Sequence, residues 1–206
     1  MQVTIIDYGV GNLRSLRRGL EQAGASVAVS ADPDELAAAE ALVLPGVGAF
    51  QECVTNSAPF HDVLVDAAAD TPILGVCVGL QLMFTESTEG AKAEPVQGLD
   101  LIPGRVEHLP NVETKVPHMG WNQLSIDSDH PVVDGIADGE YAYFVHSYAA
   151  EVADHTVASC DYGFEFAAVA ANEAGNVVGT QFHPEKSGET GLAILRNFVD
   201  ICVDRA

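Results

Sequence analysis

Positive charge is the scarcest commodity in this 206-residue chain: nine Lys and Arg stand against thirty Asp and Glu, for a net charge of −21. Only Lys92, Lys115 and Lys186 carry an ammonium side chain. An acidic surface of that kind repels phosphate backbones and anionic lipid, so neither nucleic acid nor a membrane surface is an expected partner. The carboxylates are spread along the chain without an acidic tail, which suggests a protein suited to concentrated salt, where screening relieves self-repulsion. Long apolar runs are missing too, and nothing approaches the roughly 18–20 residues of a membrane span. The first residues, Met1-Gln2-Val3-Thr4-Ile5-Ile6, lack a basic leader and enter a strand-like run directly, so no signal peptide is expected and the cytoplasm is the expected location. The four cysteines, Cys53, Cys77, Cys160 and Cys202, form no CxxC pair, which argues against a disulfide scaffold or a cysteine-rich zinc site. No metal or cofactor is called for.

What is present is a sizeable apolar content, 48% against 19% charged, arranged in alternating units. Strands are expected at Val3–Asp7, Ala25–Val29, Ala41–Leu44 and Ile73–Val76. Helical stretches are expected at Asn12–Ala23, Ala49–Asn56 and Phe60–Ala68, with another after Cys77. Asp32-Pro33-Asp34-Glu35 reads as a helix start with a possible capping box closed by Glu35. Such alternation predicts an α/β fold with a mostly parallel sheet covered on both faces. The second half turns to strand-like runs at Arg105–Leu109, Gln123–Ile126, Tyr141–Val145, Thr156–Cys160, Phe166–Ala170 and Val177–Gln181. These are expected as hairpins added to that sheet. A last helix from about Ser187 carries Leu192, Leu195, Val199 and Cys202 at helical spacing, which places Cys202 in the core. With no linker or repeat, residues 1–206 are expected to form one domain.

The sharpest chemical signal is Gly75-Val76-Cys77-Val78-Gly79, a G-x-S-x-G nucleophile elbow with sulfur in place of the hydroxyl. Glycines two residues before and after the nucleophile permit a tight strand-to-helix turn. That turn would lift the sulfur above the carboxyl edge of the sheet, over a helix amino terminus that favours a thiolate. Cysteine next to glycine is also common in plain cores, so a base is needed to make the case. Gln181-Phe182-His183-Pro184-Glu185 supplies one. In an extended segment His183 and Glu185 point the same way, and the carboxylate can fix the imidazole tautomer that leaves its other nitrogen facing sulfur. Acyl chemistry also needs donors for an oxyanion. The Val78 N–H follows the nucleophile, and Gly46, Val47 and Gly48 of Pro45-Gly46-Val47-Gly48 can turn a peptide N–H toward a substrate. By contrast, Gly9-Val10-Gly11-Asn12-Leu13-Arg14 lacks the third glycine of a dinucleotide fingerprint, and no acidic ribose partner follows it.

With these three motifs in this order, the chain resembles the class I (triad) glutamine amidotransferases over essentially its whole length. Asp7-Tyr8-Gly9-Val10-Gly11-Asn12, Lys115-Val116-Pro117-His118-Met119-Gly120-Trp121-Asn122 and Tyr143-Phe144-Val145-His146-Ser147-Tyr148 narrow the resemblance. They are similar to segments of the glutaminase subunits of imidazole glycerol phosphate synthase. The resemblance implies that family's fold, with antiparallel strands added in the C-terminal half. It implies hydrolysis of L-glutamine to glutamate and ammonia through a thioester, with Cys77 as nucleophile, His183 as base and acid, and Glu185 as orienting carboxylate. Gly46, Val47, Gly48 and Val78 would serve the oxyanion, with Val47 turning its N–H on activation. Gln81, Glu89, Ser147 and Tyr148 would hold the amino-acid end of glutamine. Tyr143 and Lys186 would stand at the ammonia passage, and Asn12, Trp121 and Asn122 at the face that docks a (β/α)8 cyclase subunit of histidine biosynthesis. Another triad amidotransferase subunit, or a non-enzymatic α/β protein with a reactive cysteine, remains open at this point. The first would lack the Lys115–Asn122 pattern, and the second would not need His-Pro-Glu.

Overall fold

The computed structural model describes residues 1–110 and 114–205. The first half runs β1 (Gln2–Ile6), α1 (Leu13–Gln22), β2 (Ser26–Ser30), α2 (Pro33–Ala37), β3 (Leu42–Leu44), α3 (Phe50–Ser57), α4 (His61–Ala67), β4 (Ile73–Val76) and α5 (Val78–Met83). There follow β5 (Phe84–Ser87), β6 (Val96–Gln97), β7 (Ile102–His108), β8 (His118–Gln123), β9 (Ser125–Ile126), β10 (Tyr141–His146) and β11 (Tyr148–Ala150). The chain closes with β12 (Thr156–Asp161), β13 (Glu165–Ala171), β14 (Val177–Thr180) and α6 (Gly188–Asp204).

The main sheet has eight strands in the order β2-β1-β3-β4-β14-β13-β12-β9. Its first five members are parallel and the rest antiparallel. Every residue of β3, β4 and β14 is buried, which requires cover on both faces of the sheet and explains why their sequences read as unbroken apolar runs. On the helical side α1 packs against α6, α3 against α5, and α2 against α4.

The later strands divide in a way the sequence did not suggest. Among the described residues, only β9, β12, β13 and β14 extend the main sheet, while β5, β6, β7 and β11 form a separate four-stranded sheet and β8 pairs with β10 alone. The expected run Gln123–Ile126 straddles two strands: Gln123 ends β8, and Ser125–Ile126 is β9. The capping box is also different. Asp32 caps α2 by accepting from Asp34 N at 2.9 Å, but Glu35 turns back to Ser30, accepting its hydroxyl at 2.5 Å. In α6 the buried stripe runs through Ile194, Leu195, Phe198, Val199 and Cys202, leaving Leu192 half-buried at its margin. Among the described residues no helix is long and apolar enough to cross a membrane, and no cluster of His, Cys, Asp and Glu could hold a metal ion.

Candidate active site

Because β3, β4 and β14 are parallel neighbours, their carboxyl ends lie side by side. They deliver Pro45–Gly48, Cys77 and Gln181–Glu185 to one rim. Cys77 leaves β4 with φ +56° and ψ −112°, a conformation rare for a side chain other than glycine and a sign of stored backbone strain. Its N–H donates to Thr180 O at 2.7 Å, tying the elbow to the next strand. The glycines around it are there for space. A methyl on Gly75 would meet Leu80 N at 2.7 Å, and one on Gly79 would overlap the Leu44 carbonyl. A methyl on Gly46 would likewise overlap Gly79 N, so the Pro45–Gly48 strand rests directly on the amino end of α5. Tyr8 donates its hydroxyl to Pro45 O, and the Cys53 thiol donates to Val47 O at 3.4 Å, fixing two carbonyls of that strand.

His183 follows β14, and its side chain and that of Cys77 line the same cavity. Its Nδ1–H donates to Glu185 Oε1 at 3.0 Å, with both side chains buried, so Nε2 is the nitrogen left for sulfur. Burial alone would push the imidazole down. The contacts with Cys77 and Glu185 outweigh it and raise its pKa to about 9. Glu185 Oε2 has no hydrogen-bond partner among the described residues, so the carboxylate's directed contact is with His183. The His183 backbone is clamped as well: its N–H donates to Tyr143 O at 3.0 Å, and its carbonyl accepts from Ser187 Oγ at 2.7 Å.

A cavity of about 300 Å³ opens over the sulfur, lined by Val47, Gly48, Cys77, Val78, Gln81, Glu89, Ser147, Tyr148 and His183 among others. Of the residues expected at the site, Gly46 is absent from this lining and lies behind it against α5. Glu89 sits in the turn after β5, where one carboxylate oxygen accepts from Phe50 N at 2.9 Å at the start of α3. The remaining expected residues stand outside the cavity. Tyr143 on β10 is paired with Trp121 on β8, the two rings 5.9 Å apart edge to face. Trp121 is 55% exposed, and Asn122 follows it on the same strand. Lys186 is exposed in the turn Pro184–Lys186, against which α1 packs, and Asn12 precedes α1 without a side-chain cap.

Several residues that no sequence motif singles out also stand around the sulfur. Gln181 approaches Cys77 Sγ at 3.8 Å, and Tyr8 and Cys53 hold the Pro45–Gly48 strand. Gln181 stands inside a quoted motif, but no spacing rule says that its amide meets sulfur. His146 had a readable signal: it continues the Ala142, Phe144 alternation on the buried face of β10.

Residues 4–202 match the family model of glutamine amidotransferase class-I. The chain is 58% identical over 209 residues to the imidazole glycerol phosphate synthase subunit HisH of Natronomonas pharaonis, covering 99% of this chain and 96% of that one. It is 52% identical over 203 residues to the HisH subunit of Methanosarcina mazei, covering 98% and 99%. Among solved structures, PurLQS from Thermotoga maritima superposes with a TM-score of 0.71 at 19% identity, covering 97% of this chain and 98% of that one, a likeness of fold.

Proposed function

The chain belongs to the glutamine amidotransferase class-I family, in the branch of imidazole glycerol phosphate synthase HisH subunits, and from that premise we propose that it releases ammonia from L-glutamine through a thioester on Cys77. The ammonia passes to a (β/α)8 cyclase subunit in histidine biosynthesis. The observation that carries the reading is a strained Cys77 and a Glu185-held His183 brought together in the lining of one cavity.

The elevated His183 pKa keeps the imidazole protonated beside the sulfur near neutral pH, an arrangement that suits a thiolate–imidazolium pair. The thiolate attacks the side-chain amide carbon of glutamine, forming a C–S bond and a tetrahedral oxyanion. Val78 N–H and a turned Val47 N–H are the donors for that oxygen, each worth roughly 3 kcal/mol of barrier. His183 gives its proton to the departing nitrogen, the C–N bond breaks and ammonia leaves. Water, deprotonated by the now neutral His183, then adds to the thioester. Collapse expels the thiolate and releases glutamate, so that one glutamine and one water yield one glutamate and one ammonia. Gln81, Glu89, Ser147 and Tyr148 line the cavity where the amino-acid end of the substrate is held. The Glu89 carboxylate, in the lining of that cavity, suits an ammonium group.

Free ammonia in water would be protonated and lost, which is the physical reason for a docked consumer. Met119, Trp121 and Tyr141 expose a large apolar surface on the β8–β10 pair, whose β10 strand clamps His183 through the Tyr143 carbonyl. A biosynthetic pair of this kind belongs in the cytoplasm. The test is ammonia release by wild type and Cys77→Ala, with and without the cyclase subunit and its ligand. Wild type alone should be slow and the complex strongly faster, with Cys77→Ala silent in both. Equal turnover with and without the subunit would refute the coupling, and active Cys77→Ala would refute the thioester.

A further inference from the structure

A string of hydrogen bonds runs from β8 to the nucleophile, and the steps above leave it unused. Asn122 Nδ2 lies 3.5 Å from His118 Nε2, and His118 Nδ1 lies 3.0 Å from His146 Nε2. His146 Nδ1 lies 3.0 Å from the Tyr148 carbonyl oxygen. Gln81 Nε2 donates to that same carbonyl at 2.9 Å and to Gln181 Oε1 at 3.0 Å, and Gln181 Nε2 stands 3.8 Å from Cys77 Sγ. Four of these side chains, His118, His146, Gln81 and Gln181, are buried, so water is not at hand to satisfy a misdirected group.

The direction of every link follows from one atom. A carbonyl oxygen only accepts, so both groups that meet Tyr148 O must donate. On one side that makes His146 Nδ1 the protonated nitrogen, leaving Nε2 to accept. His118 Nδ1 must then carry a hydrogen, and His118 Nε2 accepts from Asn122. On the other side it turns the Gln81 amide nitrogen toward the carbonyl, and its second hydrogen demands an oxygen from Gln181. The Gln181 –NH₂ is left facing sulfur. Flipping that amide would set two N–H donors face to face in the core, with no acceptor for either, which a buried site does not tolerate. Burial holds the pKa of His118 down at about 4 and that of His146 at about 3, so neither ring takes up a proton near neutral pH to reverse the order.

We propose that Gln181 is an additional catalytic residue, its amide N–H locked onto the Cys77 sulfur by this directional string, with His146 and His118 as positioning residues that hold the lock from β8. The proposal rests on the reading of Cys77 as the reacting atom. The ionisable groups that also face the sulfur are His183 from the segment after β14, Tyr8 after β1, Cys53 on α3, and Glu89 across the cavity. The histidine pair faces His183 and the Tyr162 ring, which stacks on His118 at 3.9 Å.

The experiment is alkylation of Cys77 by iodoacetamide across pH, followed by peptide mass, on the full chain. It needs no glutamine, so it stands apart from whether glutamine is the substrate. Gln181→Met removes the donor at nearly constant shape. Its alkylation at neutral pH should slow about tenfold, with the pH–rate profile displaced to higher pH. His146→Phe keeps a ring among Phe144 and Phe166 but drops the link to Tyr148. It should slow alkylation about threefold in the same direction. Since both act through one string, the double variant should be no slower than Gln181→Met alone. An unchanged profile in Gln181→Met, or losses that multiply in the double variant, would overturn the proposal. Should Gln181→Met fail to fold, the His146→Phe profile decides: displacement supports the lock and an unmoved profile removes it.

Discussion

His183 is asked to be buried and to carry charge at once. Only its two neighbours, Cys77 and Glu185, make the charged form the favoured one. Removing them should have graded effects. On the proposed mechanism Cys77→Ala removes the nucleophile, whereas Glu185→Gln removes only the group that orients the base, so its loss of glutaminase turnover in the complex should be smaller by a factor on the order of 10². The same residue ties stability to alkalinity. A pKa raised from 6.5 to about 9 on folding means that the folded state holds the proton more tightly. The stabilisation is therefore complete below about pH 6.5 and disappears as pH rises through 9. Denaturant titrations of wild type should show that decline, and His183→Phe should lack it; parallel curves would contradict the assignment. His118 and His146 have the opposite sign. Their pKa values are lowered on folding, so their neutral forms favour the fold above about pH 6.5 and that support drains away toward pH 4.

At the scale of elements, the decisive piece is the turn from β4 into α5. Three backbones crowd within it, and Gly79 is the tightest point because an added methyl would run into the Leu44 carbonyl. Gly79→Ala should therefore destabilise the protein by about 3 kcal/mol or more, read as a lowered denaturant midpoint at unchanged slope. A neutral result would mean that β3 and α5 are less firmly seated than described. This turn and the strands β3 and β4 before it were legible from sequence because both are apolar runs, the first closed by Pro45-Gly46 and the second leading into Cys77, which has a glycine two residues away on either side. His183 and Glu185 were legible as a His-Pro-Glu motif, but not for the reason expected: Pro184–Lys186 is a 3-10 turn and not an extended segment, and the two side chains meet across that turn. The β8–β10 pair was only half legible. Tyr141–His146 alternates cleanly, but His118–Gln123 shows alternate burial without alternating apolar residues, and it becomes a strand only because β10 pairs with it. The Gln181 contact was not legible at all, since it depends on which way an amide turns. That is settled by a carbonyl on β11 far away in the chain.

For the molecule as a whole, the imbalance of nine cationic against thirty anionic side chains sets the conditions under which the fold is comfortable. Few carboxylates find a cation. Arg17 with Glu21, and Arg105 with Glu86 and Glu107, are ion pairs among the described residues, all at the surface. Repulsion among the others is long-ranged and is cut by salt, whose screening length shrinks from about 10 Å at 0.1 M to about 3 Å at 1 M. The thermal midpoint should consequently climb steadily from low to molar salt. A flat response would show that the charges lie too far apart to matter.

The strand inserted between β4 and β13 in the middle of the large sheet is β14, the last to be synthesised. Until Val177–Thr180 leaves the ribosome, the two flanks of the sheet have nothing to join them, and the sulfur has no imidazole beside it. A nascent or truncated polypeptide thus carries an inert cysteine and two naked strand edges. Chemical competence and protection from aggregation arrive together, in the final act of folding.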